Sequence, residues 1–428
     1  MKMVLYKTIR HFFPSLGNWL NQIKDPRNKN STDYTITELC WVGILLFLLK
    51  LGSRRQINFQ FTNKQFMENL SALTEAEVKR IAHDGTLAYL LERLSPESLS
   101  GVIRKMLNRL IRMKCFTNYK LMGYYTIAID VSGHLVFKNK HCDRCLTKRI
   151  NGKVLYYYHP ILEAKLVFAN GLAISIETEF IENIEGESIQ DCELNAFYRL
   201  APRLKKNFPQ LKICLLLDAL YANQEALGMC EKNNWKYMIT FKKGSMPATY
   251  EEYINLKPLH EDCVGQYELK GTNQQYQWVK DINHEGHLVN VLECKEIKNG
   301  IPKRFVWLTN FNINKYNYCE LANNGGRLRW KIENEGFNIQ KNGGYNLEHA
   351  YSKHPQAMKN FYILLQIAHA ISQLMEKGSL LMAEVKKTFG SIRNFTQALL
   401  ESLRTSVFDL AEIHSVKSSG FQIRLRAP

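Results

Sequence analysis

Two uninterrupted apolar runs, each closed by an aspartate, constrain this chain more than any other feature. Tyr124-Tyr125-Thr126-Ile127-Ala128-Ile129 leads into Asp130, and Ile213-Cys214-Leu215-Leu216-Leu217 leads into Asp218. Short runs of this kind, without polar alternation, are what strands buried on both faces of a sheet require. A buried strand delivers its last side chain rigidly to the sheet rim, so two adjacent strands ending in Asp place two carboxylates within reach of one cation. Far downstream, Glu333 closes Arg327-Leu328-Arg329-Trp330-Lys331-Ile332-Glu333, a stretch with helical character, and a helix crossing that rim adds a third acid. Taken singly, each acid has an ordinary explanation as a turn residue, a helix cap or a surface glutamate. Their order along the chain, with basic residues around them, carries the reading.

The elements around these residues suit an α/β fold. Residues 1–120 read as helical, with Thr35 or Thr37 as cap of the helix containing Trp41. A further helix covers roughly Ser100 to Met113. From Tyr124 the pattern changes to strands: Tyr124–Asp130, Leu155–Tyr158 running on toward Phe168, and Leu172–Thr178. Asn151-Gly152 and Asn170-Gly171 supply hairpin turns between them. A helix over Glu187–Leu204, a strand over Leu211–Asp218, a helix over Asn223–Asn233 and a strand over Tyr237–Phe241 follow. Three strands as a meander, then helix, strand, helix, strand, is the order of a ribonuclease H-like core. Residues 245–312 read as a β-rich insertion in that core, with Asn299-Gly300 turning between its last two strands. The expected organisation is therefore a helical region over 1–120, the first part of the core over 121–244, and the insertion over 245–312. The second part of the core, with the Glu333 helix, covers 313–375, and a helical C-terminal region covers 376–428.

The 428 residues carry 57 Lys and Arg against 40 Asp and Glu, a formal charge of +17. A surplus of that size favours a polyanionic partner, and nucleic acid is the commonest. An anionic membrane is the competing partner, but neither an amphipathic nor a lipidated anchor is evident. The most hydrophobic segment, Leu39–Leu49, is bounded by Glu38 and Lys50 and is too short to span a bilayer. No signal peptide is evident and the ten cysteines are scattered, so the expected location is cytoplasmic and nucleoid-associated.

Three carboxylates of this kind suit phosphodiester chemistry. The phosphodiester oxygens repel nucleophiles and the leaving group is poor. Two divalent cations answer both problems, and hard oxygen ligands select Mg²⁺ or Mn²⁺. In this reading Asp130 bridges both ions, Asp218 holds one and Glu333 the other. On these residues the chain resembles the bacterial insertion-sequence transposases with an Asp-Asp-Glu triad and a β-strand insertion before the Glu. The carriers are Ile129-Asp130, Leu217-Asp218 and Arg329-Trp330-Lys331-Ile332-Glu333-Asn334. The family signature sets an Arg four residues before the Glu, and Arg329 fits. It also sets a Tyr three residues before that Arg, where this chain has Gly326, and a Lys seven residues after the Glu, where Gln340 stands with Lys341 next to it. The Lys role has moved by one residue, or the helix carries a local bulge. Glu335 is a rival third acid, but it points roughly opposite to Glu333 and lacks the Arg spacing. The resemblance implies a transposase that cleaves double-stranded DNA at element ends and joins it to target DNA, acting as a homodimer. A catalytically degenerate DNA-binding protein and a structure-specific nuclease without strand transfer remain the alternatives.

Several further residues are candidates for DNA contact. Lys105, Arg109 and Arg112 fall on one face of the Ser100–Met113 helix, opposite its apolar side. Lys148 and Arg149 lie in a cationic stretch after Asp130, suited to the phosphate backbone. Arg329 and Lys341 flank the Glu333 helix, and Trp278 in the insertion is a candidate for stacking on an unpaired base. The basic tail Gln422-Ile423-Arg424-Leu425-Arg426 and the helical C-terminal region are candidates for dimerisation. Finally, Cys142 and Cys145, with His159 and Cys192 further along, have the residue types of a structural Zn²⁺ site. With one pair at ligand spacing, a loop carrying free thiols is the preferred reading.

Overall fold

The computed structural model describes the whole chain except residues 29, 31, 184–188, 299, 382–384 and 426–428. Arg426 of the basic tail, Asn299 of the expected turn and the expected helix start at Glu187 lie outside the described residues.

Among the described residues, ten strands form one mixed sheet flanked by helices. They are β1 (Tyr125–Phe137), β2 (Leu146–Ile150), β3 (Lys153–Val167), β4 (Ala173–Phe180), β5 (Ile213–Leu217), β6 (Lys236–Thr240), β7 (Val264–Leu269), β8 (Thr272–His284), β9 (His287–Lys298) and β10 (Ile301–Thr309). The order across the sheet is β2-β3-β1-β5-β6-β10-β9-β8-β7. The long β3 is shared: its first half pairs with β2 and its second half with β4. β1 runs antiparallel to β3 and parallel to β5, and β5 runs parallel to β6.

The two apolar runs occupy the middle of this sheet for the reason expected. Ile127, Ala128 and Ile129 of β1 and all of β5 are inaccessible to solvent. The Asn151-Gly152 turn between β2 and β3 has φ of +48° and +78°, the left-handed pair that a tight two-residue hairpin requires.

The strand containing Asp130 differs from expectation. β1 does not stop there but continues to Phe137, held by pairing with β3 rather than by burial of an apolar run. The rim beside Asp130 is made by its neighbour, because β5 ends at Leu217. The strands of residues 245–312 add to the same sheet through β10, whose Trp307, Leu308 and Thr309 pair with β6. Buried Glu293 of β9 ties this part together. Burial pushes its carboxyl up, but hydrogen bonds from Arg304, Lys257 and Tyr253 win and hold it down at about 2.

The helix Ile36–Leu48 is capped by Thr35, whose hydroxyl accepts the Glu38 N–H and whose own N–H donates to the Glu38 carboxylate, and every residue of the helix is buried. It packs against the Pro355–Lys377 helix, which in turn lies on β4. Met358, Phe361, Leu364, Leu365, Ala368 and Ile371 of that long helix are all buried. N-terminal helices, long helix and sheet therefore share one contiguous apolar core. No helix among the described residues is long and apolar enough to cross a membrane.

Candidate active site

Asp130 and Asp218 become neighbours through the register of two parallel strands. The pairing of β1 with β5 ends at Ala128 with Leu216, two residues short of Asp130 and of Asp218, so both acids lie just beyond the same end of that pairing, and the charges of both reach the Tyr221 hydroxyl. Neighbouring strands lie about 4.8 Å apart. Asp218 leaves β5 as the N-cap of the turn Ala219–Tyr221, its Oδ1 accepting the Leu220 N–H at 2.8 Å. Asp130 Oδ1 accepts from the Val131 N–H at 2.9 Å, which leaves Oδ2 for a second partner.

Glu333 reaches the same place from the far end of the chain. The segment enters as a 3₁₀ turn over Gly326–Trp330 and widens into a π-helix over Ile332–Asn338. Arg329 is buried between the acids. Its Nη1 donates to Asp130 Oδ2 at 3.0 Å and its Nη2 to Glu333 Oε1 at 3.1 Å. Burial is the largest influence on Asp130. Opposed by the Arg329 charge and reinforced by Glu333, it pushes the Asp130 carboxyl up to about 7. A carboxylate held this reluctantly as an anion is one that additional positive charge would relieve.

Gly326 and Gln340, the two positions that differ from the expected signature, have defined surroundings. At Gly326 an added Cβ would meet the Trp307 indole at 2.4 Å, so that ring fills the space where a larger side chain would start. The π-helix inserts an extra residue, so the face reached seven residues on in an α-helix is reached at eight, which is Lys341. Gln340 instead turns into the core, where it bonds Gln366 and His369. Lys341 itself is paired with Glu348 at 2.8 Å. Glu335, the rival acid, pairs with Lys331 at 2.8 Å and lies beside Gly171 at the β3–β4 turn.

Two acidic-site neighbours escaped the sequence reading. Glu193 opens the helix Glu193–Asn207 and accepts the buried Tyr221 hydroxyl at 2.7 Å. Burial raises its carboxyl above the ordinary range, the Tyr221 bond opposes this, and the Asp218 charge adds to it. Burial, Glu193, Asp218 and Asp130 together push the Tyr221 hydroxyl far up, so it stays a donor. Trp330 is the second. It is 51% exposed beside the site, with the Arg329 guanidinium 4.7 Å from its ring centre. Trp278, by contrast, is 2% exposed and stacked on Tyr318, so it is a core residue and not a free stacking platform.

Among the described residues, no hydrogen bond or ion pair joins the other basic candidates to Asp130, Asp218 or Glu333. Lys105, Arg109 and Arg112 are exposed on the helix Pro96–Arg112, where Lys105 donates to Gln22. Lys148 and Arg149 are exposed on β2. Cys192 is exposed at the start of the Glu193 helix and lies outside the cysteine–histidine group. The residue that completes that group is His141. No model of a known protein family matches the chain, and no curated protein matches it in sequence.

Proposed function

We propose that this chain is a metal-dependent DNA phosphodiester-transferring enzyme, an Asp-Asp-Glu transposase built on a ribonuclease H-like core. The observation that carries the reading is the convergence of Asp130 and Glu333 on one buried guanidinium, with Asp218 directly after the end of the adjoining strand β5. Residues separated in the chain by 199 and 4 positions from Arg329 share it, which a solvated surface pairing does not require. The strand order β4-β3-β1-β5-β6, antiparallel then parallel, supports the ribonuclease H-like assignment.

The donor set fits Mg²⁺ or Mn²⁺. Asp130, Asp218 and Glu333 offer only carboxylate oxygens, and the raised Asp130 carboxyl marks an anion short of positive charge. These residues would hold two ions, which when bound supply activation of a water or terminal hydroxyl and stabilisation of the leaving oxygen. The chain's own residues do the rest. Arg329 orients Asp130 and Glu333 toward each other, and Tyr221 fixes Glu193 at their edge. Exposed Trp330 offers a stacking face for a base at an opened DNA end. The exposed cations of β2 and of the Pro96–Arg112 helix supply backbone contacts along the duplex.

The test is cleavage of labelled duplex DNA carrying the gene's flanking ends, with Mg²⁺, with Mn²⁺ and with chelator. Nicking at the repeat boundary that requires the metal supports the proposal. Tight binding with no cleavage under either metal supports a degenerate DNA-binding protein instead, and cleavage without any joining to target DNA supports a nuclease.

Glu193 provides a finer check. A Glu193→Gln substitution keeps an oxygen for the Tyr221 hydroxyl and removes one negative charge from the edge of the site. Supporting groups of this kind typically contribute about 10–100-fold in metal affinity. The Mg²⁺ concentration for half-maximal cleavage is expected to rise about tenfold, with activity recovering at high Mg²⁺. An unchanged Mg²⁺ titration would mean that Glu193 only holds Tyr221.

A further inference from the structure

We propose that His141, Cys142, Cys145 and His159 bind one structural Zn²⁺, and that this ion fixes the β2–β3 hairpin to the body of the sheet. The ligand atoms of the four residues all lie within 4.8 Å of one another. Cys142 Sγ and Cys145 Sγ are 3.4 Å apart, and each lies near His159 Nε2, at 3.5 and 3.3 Å. His159 Nε2 is in turn 3.2 Å from His141 Nε2. A tetrahedral Zn²⁺ with ordinary Zn–S and Zn–N bonds has edges of about 3.8 Å between sulfurs, about 3.5 Å between sulfur and nitrogen and about 3.3 Å between nitrogens. The four observed separations lie close to these values, and the remaining pairs, His141 with each cysteine, lie within 4.8 Å.

Hydrogen bonding alone does not account for the convergence. An imidazole nitrogen carries either one hydrogen or one lone pair, yet His159 Nε2 faces three partners at once. A shared cation satisfies all four atoms together. Thiolate and imidazole select Zn²⁺ over Mg²⁺, so this centre is chemically separate from the carboxylates. Four protein ligands also leave no open position, which is the mark of a structural site.

The location gives the ion a task. β1 ends at Phe137 and β2 begins at Leu146, so three of the ligands sit in the connecting loop while His159 lies on β3 opposite Leu135. Asp130 pairs with Glu163, four residues along β3 from His159, which is about 13 Å at the rise of a strand. Asn183 braces the loop from the other side, its Nδ2 donating to the Cys145 carbonyl at 2.7 Å. Beyond this point the hairpin is exposed on both faces. Lys148, Arg149, Ile150, Lys153, Val154 and Leu155 are all accessible. The Zn²⁺ therefore sits at the base of a projecting basic finger, whose use on a DNA backbone rests on the function proposed above.

The zinc content does not depend on that function and is measured first. Protein purified without chelator is expected to carry about one Zn²⁺ per chain by elemental analysis. Replacing Zn²⁺ with Co²⁺ is expected to produce the strong visible bands of a tetrahedral thiolate site. Cys145→Ser is expected to lose the metal, while Cys192→Ser, at an exposed position outside the group, keeps it. In case Cys145→Ser fails to fold, wild type stripped by chelator provides the second reading. Amide exchange is expected to rise in residues 146–155 and not in β5. Absence of zinc and of cobalt bands in wild type, or a Cys142–Cys145 disulfide recovered from protein kept under reducing conditions, would overturn the proposal. DNA cleavage that fails while zinc is present would count against the transposase reading alone.

Discussion

Substituting Asp218 is expected to abolish metal-dependent cleavage while leaving DNA binding and the fold in place. Its carboxylate has two separable duties. As the cap of the Ala219–Tyr221 turn it accepts the Leu220 N–H, and losing that bond in Asp218→Ala costs about 1 kcal/mol of stability. As a carboxylate just beyond the same end of the β1–β5 pairing as Asp130, it would hold a cation, and losing a metal ligand removes several kcal/mol of transition-state stabilisation. Roughly 4 kcal/mol corresponds to about a thousandfold in rate. Asp218→Asn separates the duties, because asparagine caps a turn as well as aspartate does and offers no charge to a metal. The expected outcome is a thermal midpoint close to wild type for Asp218→Asn and slightly lower for Asp218→Ala, with cleavage down by at least about a thousandfold in both. Asp130→Asn should lose as much. Cleavage within about tenfold of wild type in Asp218→Asn would remove Asp218 from the metal site and, with it, the triad.

How far such a site is legible before folding depends on what kind of physical fact each part is. Strand burial leaves a direct trace, which is why the Ile127–Ile129 and Ile213–Leu217 runs located the centre of the sheet. Strand pairing leaves a weaker one. The continuation of β1 through Ser132, Gly133 and His134 is held by hydrogen bonds to β3 and has no apolar run to betray it. Whether a strand face is covered depends on distant segments: Trp278 reads as available until Tyr318, forty positions on, stacks over it. The cysteine–histidine group was half legible for a related reason. Spacing identifies Cys142 and Cys145, but nothing in it distinguishes exposed Cys192 from His141, whose imidazole the loop folds back onto His159. Glu193 was invisible because its role comes from a long-range bond to Tyr221 and not from its own neighbours in the chain. The π-helix lies between these cases. The stretch reads as helical, but the wider turn over Ile332–Asn338 has no residue pattern of its own.

Arg329→Ala is expected to lower the protein's stability without Mg²⁺ and to enlarge its response to the ion. In the folded chain the guanidinium is the cation shared by Asp130 and Glu333, with its plane supported by Trp330. Removing it takes away the charge that opposes burial at Asp130, whose raised carboxyl is pushed further up beside Glu333. A fully buried pair broken in this way costs about 3–5 kcal/mol. The Glu333 side chain is 39% exposed and Asp130 18%, and solvent screens part of that cost, so about 2 kcal/mol is expected. Mg²⁺ then acts differently on the two proteins. In wild type an incoming ion competes with the guanidinium for the same oxygens, whereas in Arg329→Ala it replaces the lost charge. Tenfold tighter binding at saturating metal adds about 1.4 kcal/mol of stabilisation. Thermal unfolding with and without Mg²⁺ should therefore show a larger metal-induced rise for Arg329→Ala than for wild type. Arg329→Lys should fall between them, because an ammonium is a point charge and cannot bridge two carboxylates in parallel. Asp218→Asn combined with Arg329→Ala should lose most of the extra Mg²⁺ response, since one carboxylate of the proposed three is then neutral. Equal Mg²⁺ shifts in wild type and Arg329→Ala would show that the ion and the guanidinium do not share Asp130 and Glu333, and the arginine would then be an ordinary buried ion-pair partner with no metal site beside it.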